Sequence, residues 1–452
     1  MPRASEKTVR LLYGRGGTVL RVPERAEVLE ARDVPALADP ADAVVEALGQ
    51  PIDSPPLAEL IKQRAPGTVA ITISDITRPV PNRLFLPPML DVLNAAGVAD
   101  SRIVIIIGTG MHRPSTPQER LRLAGEDILS RIEVIDHVAA DSDSLVRVSD
   151  DPPVSVNRRF AEADFRIVTG YIEPHFMAGF SGGRKGVCPA LVDLATVQRF
   201  HGYETLADPR ADNGVLDGNP CHEIALAVAR AVSVDFLFNV AVTRHQGPAK
   251  DGDSERQIAG IYCGELEAAH LAGCRDVAKW SSADIEGSYD LVITCGGGYP
   301  LDATFYQTVK CMCTALPALN EGSTLLVISE CSEQLGSKAY TELMLGYDND
   351  WRGFLADIEA NKDHTRLDQW EFQMQARVLA RIGLAKLWFA SDGIPEEVQR
   401  HIAVRPLLGR GDARSRAQRA IEDYLADRPD ARIAVIPEGP YVMLRQRAQS
   451  RR

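Results

Sequence analysis

The 452-residue chain has no apolar run near the ~20 residues that a bilayer-spanning helix requires. It also lacks a surplus of basic residues. Lys and Arg number 50 against 62 Asp and Glu, a formal net charge of −12, which argues against nucleic acid or an anionic membrane as the main partner. Cysteine is sparse and irregularly spaced, eight in all, which fits a reduced cytoplasm better than a disulfide framework. The opening residues have no signal-peptide core and read as the approach to an ordinary strand. No repeat at a fixed period and no low-complexity segment interrupts the chain, and the final "RQRAQSRR" reads as a solvated terminus. These absences leave an acidic, cytoplasmic protein, too long for one ordinary core.

What is present is alternation. Short β-branched runs (Thr68–Ile73, Ile103–Ile107, Ala163–Thr169, Asp235–Thr243) are separated by helical patterns such as Leu86–Ala96, which predicts α/β architecture. Thr116, Pro117 and Glu119 spell a capping box at the start of a further helix. Near residue 280 the pattern restarts with "SYDLVITCGGGYP", followed by strands at Ser323–Ser329, Ala385–Ala390 and Ala431–Pro437. Two α/β domains are therefore expected, 1–280 and 281–452, each with a mixed, largely parallel sheet flanked by helices. The second is Rossmann-like, and its last strand can pack back. Ligands of such sheets bind beyond the carboxyl ends of strands, so the active site is expected in the cleft between the domains.

Four post-strand segments carry unusual residues: "DITRPVP" (Asp75–Pro81), "GTGMHRP" (Gly108–Pro114), "EPHFMAGFSGGRKG" (Glu173–Gly186) continuing to Gly202, and "GGGYPLDATFYQTVK" (Gly296–Lys310). Three of only nine histidines, His112, His175 and His201, lie in them. Two could pair as acid and base, and a third could hold a metal through neutral imidazole. Lys185 follows glycines but not in the P-loop order, so it reads either as a phosphate contact or as a nucleophile or covalent anchor. Arg78, between Thr77 and Pro79, could clamp a carboxylate or serve in a surface ion pair. Gln307 and Lys310 share a helix face. Cys311 and Cys313 would point apart on that helix, so they read as core. The triple glycine at 296–298 lacks the G-x-G-x-x-G fingerprint of a nicotinamide site.

Together these segments resemble the lactate racemase (LarA) family, which uses a nickel-pincer nucleotide. The resemblance spans roughly Ser74 to Lys310. It rests most firmly on H-x-x-x-G-F-S-G-G-R-K from His175 to Lys185, joined by D-x-x-R-P, H-R-P, His201 and Y-Q-x-x-K. The resemblance implies a racemase or epimerase inverting C2 of a 2-hydroxy carboxylic acid. Lys185 would be the covalent anchor of the cofactor, a Ni(II) pyridinium-3,5-bisthiocarboxylic acid mononucleotide. His201 would be the protein's nickel ligand, and His112 and His175 the acid–base pair. Arg78, Tyr306, Gln307 and Lys310 fall on substrate contacts. Asp75, Thr77, Arg78, Gly182 and Gly183 fall around the cofactor phosphate, with backbone donors turned toward it. Cofactor-biosynthesis proteins are implied partners.

A straight helix from Pro189 to His201 would separate its ends by ~18 Å. Lys185 and His201 must meet at one metal under this reading, so the chain is expected to turn back, with Asp193 capping the helix that leads to His201. Two departures stand out. "GTGMHRP" is longer than the family's G-T-H-R-P form, and Cys188 lies beside the anchor. A nucleotide-dependent dehydrogenase using Cys295–Tyr299, or a non-catalytic organic-acid or nucleotide-binding protein, would be the alternatives.

Overall fold

In the computed structural model, residues 5–248 and 254–447 are described, so the last five residues of the basic terminus lie outside the described residues. The chain forms two compact units. One comprises Arg32–His201 and Arg210–Trp280; the other comprises the residues up to Ala31, Gly202–Pro209 and the chain from Ser281 onward.

The first unit is built on a six-stranded sheet. Its strand order is Ser254–Gly264, Phe236–Pro248, Phe165–Tyr171, Val69–Ser74, Ile103–Gly108 and Glu133–Asp136. All neighbours are parallel except the antiparallel edge strand Ser254–Gly264. The central strands are near-continuous runs of buried Val and Ile, as expected where helices cover both faces of a parallel sheet. The helix Asn82–Ala95 packs Phe85, Leu86, Met89, Leu90 and Leu93 into that core. It starts four residues earlier than the periodicity suggested and carries Pro87 and Pro88 inside its span. Burial of a full apolar face outweighs the local cost of the prolines.

The second unit holds an all-parallel sheet in the order Arg405–Pro406, Leu387–Ala390, Thr324–Ile328, Leu291–Cys295, Ile433–Ile436 and Glu27–Val28. The units depart from a single cut at 280/281 for a physical reason. Glu27–Val28 extends this second sheet beside Ile433–Ile436, and the Tyr203 carbonyl accepts from Gln373 Nε2 at 2.9 Å. Two segments of the expected first domain therefore belong with the residues after Ser281.

The triple glycine closes on its own unit. The Tyr299 N–H donates to the Gly14 carbonyl at 2.9 Å, and a Cβ on Gly297 would lie 3.1 Å from Pro440. Residues 12–14 and Pro440 thus pack directly against the glycine turn. All eight cysteines are buried free thiols. Cys311 donates to the Thr308 carbonyl and Cys313 to the Met374 carbonyl, so the two thiols do diverge.

Candidate active site

Phe165–Tyr171, Val69–Ser74 and Ile103–Gly108 are adjacent, parallel strands, so the loops leaving their carboxyl ends are neighbours. Three of the four singled-out segments are these loops. The sheet order alone thus gathers residues 75–81, 109–116 and 172–186 at one edge.

Asp75 and His112 meet there. The His112 Nδ1 lies 2.6 Å from Asp75 Oδ2. Asp75 is buried, whereas the His112 side chain is 41% exposed. The other Asp75 oxygen accepts from Thr77 Oγ1 at 2.6 Å and from the Thr77 N–H at 3.3 Å. Burial by itself pushes the Asp75 carboxyl up. The hydrogen bond and charge of His112, with Arg78 and Thr77, reverse this and hold it below its ordinary value. An ionised Asp75 fixes the proton on His112 Nδ1 and leaves the lone pair on Nε2, the arrangement of a general base.

His175 ends a two-residue strand, Pro174–His175, paired antiparallel with Gly179–Phe180. Its ring is buried and stacks on Phe176 at 5.2 Å between centroids. The Met177 and Ala178 N–H groups donate to His175 Nδ1 at 3.4 and 3.3 Å. The neutral ring therefore carries its proton on Nε2, opposite to His112.

The glycine-rich segment ending in Lys185 follows in a tight turn. Gly182 and Gly183 both adopt positive φ, +70° and +54°, and a Cβ on Gly183 would sit 2.5 Å from the His270 ring. Only glycine meets both demands. The Gly183 N–H donates to Asn239 Oδ1 at 2.7 Å, and the Arg78 N–H to the Asp75 carbonyl at 3.2 Å. With the Thr77 N–H also turned to Asp75, these three backbone donors are engaged within the protein. The glycines serve the shape of the turn, and the Asp75 carboxylate serves His112.

Lys185 is half-buried, with its Nζ 4.9 Å from the Phe200 ring centroid. Burial, then the charges of Arg184 and Arg78, pull its amine down to about 7. Near neutrality much of it is an uncharged nucleophile. Beyond it the chain turns back. Asp193 caps the short helix Leu194–Phe200, accepting from the Thr196 N–H at 2.9 Å, and His201 is the residue that closes it. The Phe200 and His201 rings meet edge to face at 4.6 Å, so Lys185 and His201 both pack against one phenyl ring. His201 Nδ1 donates to the Val197 carbonyl at 2.8 Å, placing the lone pair on Nε2. Burial, reinforced by the Lys185 charge, pulls His201 down to about 3, so it stays neutral. A neutral imidazole with its second nitrogen fixed is a metal ligand in waiting.

Cys188 is a buried thiol pushed up to about 12 by burial, unfit as a thiolate donor. Among the described residues, no group of three or more His, Cys, Asp or Glu is placed to hold a metal ion. The longer "GTGM" turn is braced by the Gly110 N–H donating to the Ala190 carbonyl at 2.9 Å, and His137 Nε2 lies 3.0 Å from the Val192 carbonyl. The extra residues thus tie the His112 loop to the segment between Lys185 and His201. The capping box at Thr116 forms, and its Glu119 also takes a two-pronged contact from Arg113 at 2.7 and 2.8 Å.

In the second unit, Tyr306, Gln307 and Lys310 lie on the helix Phe305–Thr314, capped by Thr304. Tyr306 Oη accepts from Trp370 Nε1 at 2.6 Å, and Gln307 Oε1 is buried with no partner among the described residues. Sequence reasoning missed Asn239, His270, Trp370 and the role of Asp75 toward His112. A lone asparagine inside the apolar strand "DFLFNVAVT" was the one available signal.

Known proteins bear directly on this arrangement. The lactate racemase N-terminal domain matches residues 13–214, and the lactate racemase C-terminal domain matches residues 285–444. The lactate racemase of Thermoanaerobacterium thermosaccharolyticum is 31% identical over 409 residues, covering 90% of this chain and 91% of its own. That of Lactiplantibacillus plantarum is 32% identical over 407 residues, covering 89% and 91%. The solved lactate racemase apoprotein from T. thermosaccharolyticum superposes with a TM-score of 0.83 at 29% identity, covering 97% of this chain and 100% of that one. A Thermotoga maritima protein, at a TM-score of 0.63 and 15% identity, shares the fold. Fold, site and relatives together define an α/β isomerase of the racemase class. The chain belongs to the lactate racemase family. No helix among the described residues is long and apolar enough to cross a membrane.

Proposed function

We propose that this racemase inverts C2 of a small 2-hydroxy carboxylate, lactate first among them, with a nickel-pincer nucleotide attached to Lys185. The observation that carries the reading is the packing of Lys185 and His201 against the same Phe200 ring, with His112 of the Asp75–His112 pair near enough to act on His201.

The donor set fits such a group. His201 offers one neutral imidazole nitrogen, and no cluster of protein ligands competes for the metal among the described residues. A cofactor that brings its own sulfur and carbon donors needs one protein ligand to complete a square-planar Ni(II) site. Lys185, its amine pulled down to about 7, supplies an uncharged fraction near neutrality suited to forming an amide-type bond. When bound, such a cofactor would supply a reversible hydride acceptor for C2, and the reaction would be redox-neutral.

The protein's part is proton handling and positioning. The C2 hydrogen is not acidic beside a carboxylate, so it leaves more readily as hydride while a base removes the hydroxyl proton. His112 Nε2 is that base, and its gain of charge is stabilised by Asp75 through Nδ1. His175 serves the opposite face, with backbone donors on Nδ1 setting its Nε2 as the proton-bearing atom. Arg78 is the proposed clamp for the carboxylate, and Tyr306, Gln307 and Lys310 are the second unit's proposed substrate contacts. His112 accepts the hydroxyl proton at Nε2 and gives it back once C2 has been inverted, while the Nε2–H of His175 donates a hydrogen bond to the substrate oxygen from its own face.

The test is direct. Protein matured alongside the cofactor-making enzymes is incubated separately with D- and L-lactate, and products are resolved by chiral chromatography. Both incubations should converge on the same mixture. A matured, nickel-loaded protein inert toward lactate and larger 2-hydroxy acids alike would overturn the proposal.

A further inference from the structure

Arg184, the neighbour of the anchor lysine, is 1% exposed, yet no carboxylate among the described residues pairs with it. Its Nη1 donates to the Phe180 carbonyl at 2.9 Å and, more weakly, to the Gly182 carbonyl at 3.4 Å, and lies 3.2 Å from His270 Nε2. Its Nη2 donates to the Ala178 carbonyl at 2.6 Å. The fifth donor, Nε, has no partner among the described residues. Carbonyl dipoles satisfy hydrogen bonds but leave a whole positive charge uncompensated in a dry interior.

Beside this guanidinium lies a cavity of about 20 Å³, room for one small occupant. Its lining is Arg184, His222, His270 and Glu267 with Leu226, Leu266 and Leu271, and the outermost of these, Leu271, is exposed. Nδ1 of His222 is a second buried polar atom with no partner. Glu267, the one acid in the lining, is held by both arms of Arg230 at 2.7 and 2.8 Å. The surroundings respond to the unbalanced charge. Burial and then Arg184 lower both His222, to about 4, and His270, so neither adds positive charge. Arg184 itself is pulled down to about 10 by burial.

We infer that this cavity is a binding site for one monovalent, halide-sized inorganic anion, held by Arg184 Nε and the ring N–H of His222. A volume of about 20 Å³ suits one such small ion and no larger group. Its consequence is structural reach: Arg184 holds the carbonyls of Ala178, Phe180 and Gly182, which form the turn between His175 and Lys185. The inference is independent of substrate and cofactor.

Crystals of the full-length protein grown in bromide, measured at the bromine edge, should show an anomalous peak in this cavity within hydrogen-bond reach of Arg184 Nε. In solution, bromide replacing gluconate at constant ionic strength should raise the melting temperature. A rise of roughly 2–4 °C is expected once bromide exceeds its dissociation constant several-fold. Leu226→Phe, which fills the cavity without touching the guanidinium's partners, should flatten that response. A water in place of the peak would overturn the inference. So would a flat wild-type titration, or a Leu226→Phe response equal to wild type, the mark of surface ions only.

Discussion

Replacing Asp75 by Asn removes one charge from the buried partner of His112 while keeping its shape. The wild-type contact is 2.6 Å long, with an acceptor only 6% exposed and further held by Thr77. A charge-assisted hydrogen bond in such a setting contributes about 1.5–3 kcal/mol, so its loss should slow turnover about 10- to 150-fold. The loss deepens if the new amide donates to Nδ1 and forces the proton onto Nε2, as tautomer reversal costs about 10⁴ in the serine-protease triad. The assay is initial racemisation from each enantiomer by chiral chromatography, on matured protein with equal nickel content. The loss should fall on kcat with KM nearly unchanged, since Asp75 acts through His112. A stability signature accompanies it. The Asp75 carboxyl sits below its ordinary 3.8 in the folded protein, so its contribution is fully present above that pH. It is lost as pH falls through the lower native value. The wild-type advantage over Asp75→Asn in denaturant midpoint should therefore hold above about pH 4 and fade below it. An Asp75→Asn enzyme retaining more than half the wild-type kcat would refute the pairing as a working dyad.

Gly183→Ala forces a Cβ to within 2.5 Å of His270 at a φ of +54°, so it should destabilise the protein by more than ~2 kcal/mol, read as a lower melting temperature, and abolish cofactor loading. Asn239→Leu strands the buried Gly183 N–H and should cost about 1–3 kcal/mol in chemical denaturation, with nickel content falling in step. Thr116→Ala removes a helix cap and should cost about 1 kcal/mol while leaving kcat unchanged, a control separating stability from catalysis. His201→Ala should leave Lys185 modified in the mass spectrum but lower nickel retention on dialysis, because it removes the one protein ligand and leaves the anchor.

Much of the architecture was legible because parallel strands buried on both faces read as unbroken Val and Ile runs. "TVAITI" and "IVIII" were placed within a residue or so of their final bounds. Local capping chemistry was equally readable: Thr116 and Asp193 cap the helices expected of them. The unit boundaries were less so, because the pairing of Glu27–Val28 with Ile433–Ile436 joins residues some 400 apart through backbone alone. Within the site, the histidines and Lys185 announced themselves by residue type and setting. The direction of the backbone donors did not, since a glycine before a lysine looks the same whether its N–H faces a ligand or Asn239. The Asp75–His112 contact was hidden for a related reason. It links two loops that only the strand order brings together.

The measurement that tests the central claim most directly is intact mass with nickel analysis on protein matured alongside the cofactor-making enzymes. An adduct mapped to Lys185, with nickel in equal proportion, is the predicted result. A chain that racemises lactate while unmodified at Lys185 and free of nickel would contradict it.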